Sequence, residues 1–305
     1  MKVISIGSAI IDLFVRSRDF TIKAIDDGVM LCQKYGAKIE VDSFELQTGG
    51  GGGNTAVGFA RLGFDAVVVA ETGRDVLAKL VIDDLVKEKV ETQFLIKEKK
   101  EETGGSVIMT GQDGGRTALV HRGAASQLDP QDIPGAALAQ ADWVHLSSIA
   151  GRFMTLQTIF QTVKQHQVKM SWNPGNAELK LLADGHLDIN QIYCQILLMN
   201  AEEWVMVAKL QARLLSQIPI VVITKGKKGG EVFYQGKSAI KYEILKVETV
   251  EETGAGDAFG VGFVSAYLHD KNLTECCEWG KRNAASVVKS VGAKTGLLTL
   301  ARISK

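Results

Sequence analysis

A three-layer α/β/α fold, with a mostly parallel central sheet between two layers of helices and a small β-sheet flap beside it, is predicted by three features of the sequence. Short continuous runs of Val, Ile and Leu recur along the chain, as strands buried on both faces require. Amphipathic helical stretches separate them, an alternation that argues for parallel strands joined by crossover helices. Two regions break that rhythm with apolar–polar alternation, the mark of half-exposed strands.

In chain order, the buried runs are 3–6, 66–70, 143–146, 168–172, 195–199 and 220–224. The helical stretches are 55–62, 76–88, 152–166, 201–209, 255–268 and 273–290. The first irregular region, 13–48, carries the alternating pieces Lys38-Ile39-Glu40-Val41 and Phe44-Glu45-Leu46-Gln47. The second, 103–123, reads as a hairpin: strands 106–110 and 116–121 around the turn Gly111-Gln112-Asp113-Gly114-Gly115. The flap is therefore built from two separate insertions into one α/β unit spanning 1–305.

Composition narrows the function classes. The chain has 305 residues, and its 35 Lys and Arg balance 35 Asp and Glu. A net charge of zero gives no electrostatic footprint for nucleic acid or an anionic membrane. The four cysteines, Cys32, Cys194, Cys276 and Cys277, fall in no zinc-ligand or CxxC spacing, and free thiols fit a reducing compartment. No apolar run reaches the roughly 18 residues a membrane span needs. These features predict a soluble, cytoplasmic protein.

Of the 32 glycines, many sit at strand ends beside polar residues. The strongest cluster is Glu252-Thr253-Gly254-Ala255-Gly256-Asp257, led into by the strand-like stretch 245–250 and followed by a long helical pattern. Small residues at a helix start let a ligand approach the backbone N–H groups, which suits an anion. An aspartate in the first turn is placed to take a proton from an attacking hydroxyl; a dipole-favoured acid at a helix start is the bland alternative. The second cluster, Thr48-Gly49-Gly50-Gly51-Gly52-Gly53-Asn54, opens the first helix and is either a close-approach ligand loop or a hinge. It is not a dinucleotide fingerprint, because the third glycine of GxGxxG is missing. Gly236-Lys237-Ser238 is not a phosphate-binding P-loop, because Glu231 stands where its leading glycine belongs.

Asn200-Ala201-Glu202-Glu203 follows the buried run 195–199, where open α/β sheets bind ligands. The letters suit orientation of Mg²⁺ and equally suit an Asn N-cap. Thr224-Lys225-Gly226-Lys227 follows the next run and suits phosphate binding or a basic surface turn. The five histidines form no ligand pair and read as structural or surface residues. Ser148, after the run 143–146, faces a substrate or caps a helix.

Taken together and in order, Gly7…Asp12, the glycine cluster with Asn54, Asn200-x-x-Glu203, Thr224-x-Gly226 and Gly254-Ala255-Gly256-Asp257 resemble the ribokinase (PfkB) family of carbohydrate kinases. The resemblance spans nearly the whole chain. It implies a ribokinase-like fold whose flap is a lid that often also makes a dimer. It implies transfer of the γ-phosphoryl group of ATP to a sugar or nucleoside hydroxyl. Asp12, Gly49, Gly50, Gly51 and Asn54 would hold the substrate; Asn200, Thr224, Gly226 and Asn283 would face the nucleotide. Glu203 would act on Mg²⁺ through water. Gly254, Ala255 and Gly256 would form the anion hole and Asp257 the general base. Glu251-Glu252-Thr253 departs from the family's common Asp-Thr-Thr, which argues against the monovalent-cation site of some members. Lys225 and Lys227 are not fixed features of the family either. Arg116, His121 and Arg122 on the flap are candidates for choosing the substrate. A non-catalytic sugar or nucleotide sensor on the same fold is the alternative, which the retained Asp257 disfavours.

Overall fold

The computed structural model describes residues 1–26, 28–97, 100–113 and 115–305. The first strand, β1 (Lys2–Ile6), leads into β2 (Ile10–Arg16), a hairpin of β3 (Thr21–Ile25) and β4 (Gly28–Cys32), and β5 (Ser43–Gly49). Helix α1 (Gly51–Arg61), β6 (Asp65–Thr72), α2 (Val76–Lys87) and β7 (Glu91–Lys97) precede a second excursion, β8 (Gly105–Thr110) and β9 (Arg116–His121). Next come α3 (Gly135–Ala139), β10 (Trp143–Leu146), α4 (Phe153–Gln165), β11 (Met170–Trp172) and α5 (Asn176–Ala183). They are followed by β12 (Ile196–Asn200), α6 (Ala201–Met206), α7 (Gln211–Gln217) and β13 (Ile220–Thr224). The hairpin β14 (Gly230–Tyr234) and β15 (Lys237–Tyr242) and the helices α8 (Ala255–Leu268), α9 (Leu273–Val287) and α10 (Leu300–Ile303) complete it.

The central sheet has nine strands in the order β15-β14-β13-β12-β11-β10-β1-β6-β7. All pair in parallel except β14 and β15, an antiparallel edge. Side chains alternate across a strand, so each apolar run feeds two cores at once. Val3, Val68, Trp143, Leu198 and Val222 enter one core with Phe59, Phe263 and Trp279 from α1, α8 and α9. Ile4, Val67, Val144, Leu197 and Val221 enter the other with Leu156 and Phe160 from α4. Two separate cores, one per face, are the physical content of the three-layer expectation.

The flap is a four-stranded sheet, β5-β2-β8-β9, with β2 antiparallel to β5 and parallel to β8. Its strands begin at Ile10, earlier than the 13–48 boundary, because β2 continues almost directly from β1. The predicted hairpin is present as β8 and β9; Gly114 of its turn lies outside the described residues.

Several elements differ from expectation. Residues 38–41 form no strand; the alternation there stays in exposed coil, while β3 and β4 form the hairpin of this region. The stretch 245–250 is irregular, with Leu245 and Val250 exposed. Helix α1 begins at Gly51, four residues before the pattern suggested: packing of Gly52 against Gly7 overrides the poor helix propensity of glycine. β7, β14 and β15 were not expected. The Gln235-Gly236 turn, with φ of 48° and 77°, is the hairpin signal that marks the last two, and it explains why Gly236-Lys237-Ser238 is no P-loop.

Candidate active site

Asp12, Gly49, Gly51, Asn54 and Asp257 lie together where the flap meets the starts of α1 and α8. Asp12 rises from β2, register-paired with Gln47 on β5 and Ser106 on β8. It is buried and accepts a 2.5 Å hydrogen bond from Ser106 Oγ. A Cβ at Gly49 would lie 1.9 Å from Asp12 Oδ2, so Gly49 is glycine to seat this carboxylate. Burial raises the Asp12 pKa above the ordinary value, while the Ser106 bond and the charge of Lys294 pull it back.

Gly50 precedes α1 with φ of +89°, a conformation that favours glycine. Ser8 Oγ then accepts from Gly51 N at 3.1 Å. A Cβ on Gly51 would meet Ser147 and would come within 3.9 Å of Asp257 Oδ1, so this turn brings the glycine cluster against the candidate base. One helical turn on, Asn54 Nδ2 donates to Asp257 Oδ2 at 2.8 Å. The acceptor must be the carboxylate, which fixes the amide's orientation and leaves Asn54 Oδ1 facing elsewhere. That Oδ1 and Ser147 Oγ are buried with no hydrogen-bond partner among the described residues.

Asp257 sits in the first turn of α8. Burial, above all, lifts its pKa to about 6; the Asn54 bond opposes the shift and the Asp12 carboxylate adds to it. Gly254, before the helix, has φ of +81°, and a Cβ there would lie 2.5 Å from Ala293. Gly256 is different: a Cβ would meet no protein atom within 4 Å. Packing therefore explains glycine at 254 and does not explain it at 256. No side chain caps this helix start.

On the other side of Asp257, Asn200 and Thr224 are register partners at the ends of β12 and β13. Asn200 Oδ1 accepts from Glu203 N at 2.9 Å and Glu203 Oε2 accepts from Asn200 N at 2.7 Å, a reciprocal capping box. The Glu203 pKa is raised, chiefly by burial, with the charges of Glu202 and Asp257 adding to it. Gly226 turns the chain after β13 with φ of +53°. Among the described residues no group of three or more His, Cys, Asp or Glu is arranged to hold a metal unaided.

Three expectations change. Asn283 is fully buried; its Nδ2 donates to Ala258 O at 2.8 Å and its Oδ1 accepts from Leu298 N at 2.9 Å. Both ends of its amide are consumed, so it ties α9 to α8 and does not touch a ligand. Ser148 donates to Glu178, a buried carboxylate that also accepts from Ile149 N, Gly151 N and Gly175 N. Arg116 does not point into free space to select a substrate: its guanidinium meets Glu251 and donates to Thr253 Oγ1 at 2.7 Å. Sequence reasoning missed Ser147, Ser106 and Lys294. Ser147 had a signal, since it directly follows a buried parallel strand. Lys294, 8% exposed and bonded to Thr48 and Asp84, had none.

A ribokinase of Staphylococcus aureus (strain COL) is 26% identical over 316 aligned positions, covering all of this chain and 99% of that protein. A nucleoside kinase of Methanothermobacter thermautotrophicus is 26% identical over 257, covering 82% and 81%. The structure of Arabidopsis thaliana ribokinase complexed with ribose and ATP superposes with a TM-score of 0.79 at 22% identity, covering 99% of this chain and 97% of that one, a likeness of fold. The pattern of the pfkB family carbohydrate kinases matches residues 1–300. By that match along nearly its whole length, the chain belongs to the pfkB family of carbohydrate kinases, a sugar or nucleoside kinase.

Proposed function

We propose that this kinase transfers the γ-phosphoryl group of Mg·ATP to a primary CH₂OH of a sugar or nucleoside, with Asp257 as general base and residues 254–257 as the anion hole. The observation that carries the reading is the placement of a carboxylate with a pKa of about 6 in the first turn of a helix whose start no side chain caps. At neutral pH a carboxylate with such a pKa is mostly deprotonated and ready to accept a proton. In the proposed step the hydroxyl loses its proton to Asp257 as its oxygen bonds to the γ-phosphorus, the bond to the β-phosphate oxygen breaks, and ADP leaves. The N–H groups of 254–257 receive the charge on the phosphoryl oxygens.

Asp12, Gly49, Gly50, Gly51 and Asn54 hold the acceptor, the carboxylate of Asp12 taking hydrogen bonds from neighbouring hydroxyls. Thr224, Gly226 and the backbone around Asn200 face the nucleotide. Mg²⁺, when bound with ATP, would neutralise phosphate charge, and Glu203 would hold one of its waters. Residues 1–305 act as one catalytic unit with the flap as its lid. The names of the relatives, ribokinase and nucleoside kinase, and the ribose and ATP of the Arabidopsis protein support the two acceptor classes.

The lid also makes the dimer in this reading. On its face away from Asp12, Leu46, Leu13, Val107 and Leu119 form one register-matched row, with Leu46 50% and Leu119 57% exposed. Such a row seeks a partner surface, and sedimentation across a concentration series tests it. The catalytic reading is tested by coupled ADP release with Mg·ATP across a panel of sugars and nucleosides. Acceptor-dependent release supports it; ATP binding with no release for any acceptor returns weight to a sensor.

A further inference from the structure

We infer that Arg116 is a positioning residue for phosphoryl transfer: reaching across from the flap, it fixes the 251–253 segment from which the anion-binding loop springs. The inference rests on the kinase reading above and assigns a role to a residue outside the glycine loop itself.

The contacts form a closed triangle. Thr253 donates to Glu251 Oε1 through both its N–H, at 2.9 Å, and its hydroxyl, at 2.7 Å. Arg116 Nη1 pairs with that same Oε1 and donates to Thr253 Oγ1. Glu251 is only 6% exposed, so its charge depends on these partners. Burial works against the ionised form, yet the Thr253 bonds and the Arg116 charge outweigh it and hold the pKa below the ordinary value. One residue further on, Gly254 takes its left-handed conformation and α8 begins. A shift at 251–253 is therefore transmitted directly to the N–H groups of the anion hole.

Arg116 comes from the same face of the flap that carries Asp12. On β9 it lies four residues from Val120, which is paired with Ser106, the residue hydrogen-bonded to Asp12. The flap thus carries the acceptor carboxylate and, through Arg116, also meets the segment that leads into the anion loop, beside the ties that β5 makes to the body through Gln47 and Thr48. The neighbouring Glu252 also finds a cation, Lys227 at 3.2 Å, but both groups are exposed, and such pairs hold little. Glu251 and Glu252, the two departures from the family pattern, are in this way paired with Arg116 and Lys227.

The test compares wild type with Arg116→Ala, Arg116→Lys, Glu251→Gln and the Ala/Gln double variant, by steady-state kinetics and by amide hydrogen exchange at 252–256. Arg116→Ala is expected to lower kcat by about 10- to 100-fold, the cost of misplacing reacting groups by about an ångström, with acceptor KM little changed. Glu251→Gln should behave alike, the double variant should be no worse than the poorer single, and Arg116→Lys should recover part of the rate. Exchange at 252–256 should quicken in Arg116→Ala. A raised acceptor KM with kcat preserved would overturn the inference by making Arg116 a substrate contact, and unchanged exchange would overturn it as well. A wild type that turns over no acceptor would remove the kinase reading, while the exchange measurement still decides whether the triangle braces the loop.

Discussion

Helices α6 and α8 both begin beside Asp257, and they begin in opposite ways. At α6, Asn200 and Glu203 satisfy each other's backbone N–H groups, so the helix start is complete without any ligand. At α8, a left-handed Gly254 leads in, no side chain caps the first turn, and Gly256 faces open space. The first N–H groups of a helix have no partner within it, and where side chains leave them free, an anion can claim them. In the proposed reaction the open start is where charge is received, whereas the closed one is satisfied by its own side chains.

The contrast is most severely tested at the open end. Asp257→Asn should lower kcat by about 10²–10⁴-fold with acceptor KM far less affected, as expected for loss of a positioned base. Stopped assays at saturating acceptor measure it, and near-normal turnover would remove Asp257 from the chemistry. Gly256→Ala comes next: its Cβ meets no protein atom, and alanine favours a helix by about 0.5–1 kcal/mol, so Tm should hold or rise. Its kcat should nonetheless fall by about 10- to 100-fold as the methyl displaces the phosphoryl group. A variant with full activity would mean that nothing approaches this loop. At the closed end the effect should be smallest and of another kind. Asn200→Ala should cost about 1 kcal/mol of stability through the lost cap, read as a lower midpoint in denaturant, with a modest change in kcat.

What could be read from the sequence follows the same division. The central strands were legible because burial on both faces demands unbroken apolar runs: 143–146 and 220–224 coincide with β10 and β13. Helix α8 was legible because a glycine start and a long apolar pattern bound it. Segments stabilised from one side only misled in both directions. Residues 245–250 have strand-like letters but pair with no strand, whereas β7 and the β14–β15 hairpin pair at the edges on less distinctive letters. In the site, Asp257, Asp12 and the glycines were visible because tight backbone approach leaves few choices of residue. Their supports were not. The Ser106 bond to Asp12, the Lys294–Asp84–Thr48 cluster and the reach of Arg116 to Glu251 all join residues tens to hundreds of positions apart. Asn283 shows the converse: a family-like position whose amide is spent inside the protein.

The most direct measurement is the pH dependence of kcat/KM for the wild type beside Asn54→Ala. A carboxylate raised from 3.8 to about 6 is protonated, and unable to accept the hydroxyl's proton, on the acid side of that value. The wild type should therefore lose activity about tenfold per pH unit below pH 6. The Asn54 bond lowers the Asp257 pKa, so Asn54→Ala should move that limb to higher pH. A profile flat down to pH 5 in the wild type, or a limb that Asn54→Ala leaves in place, would contradict Asp257 as the base.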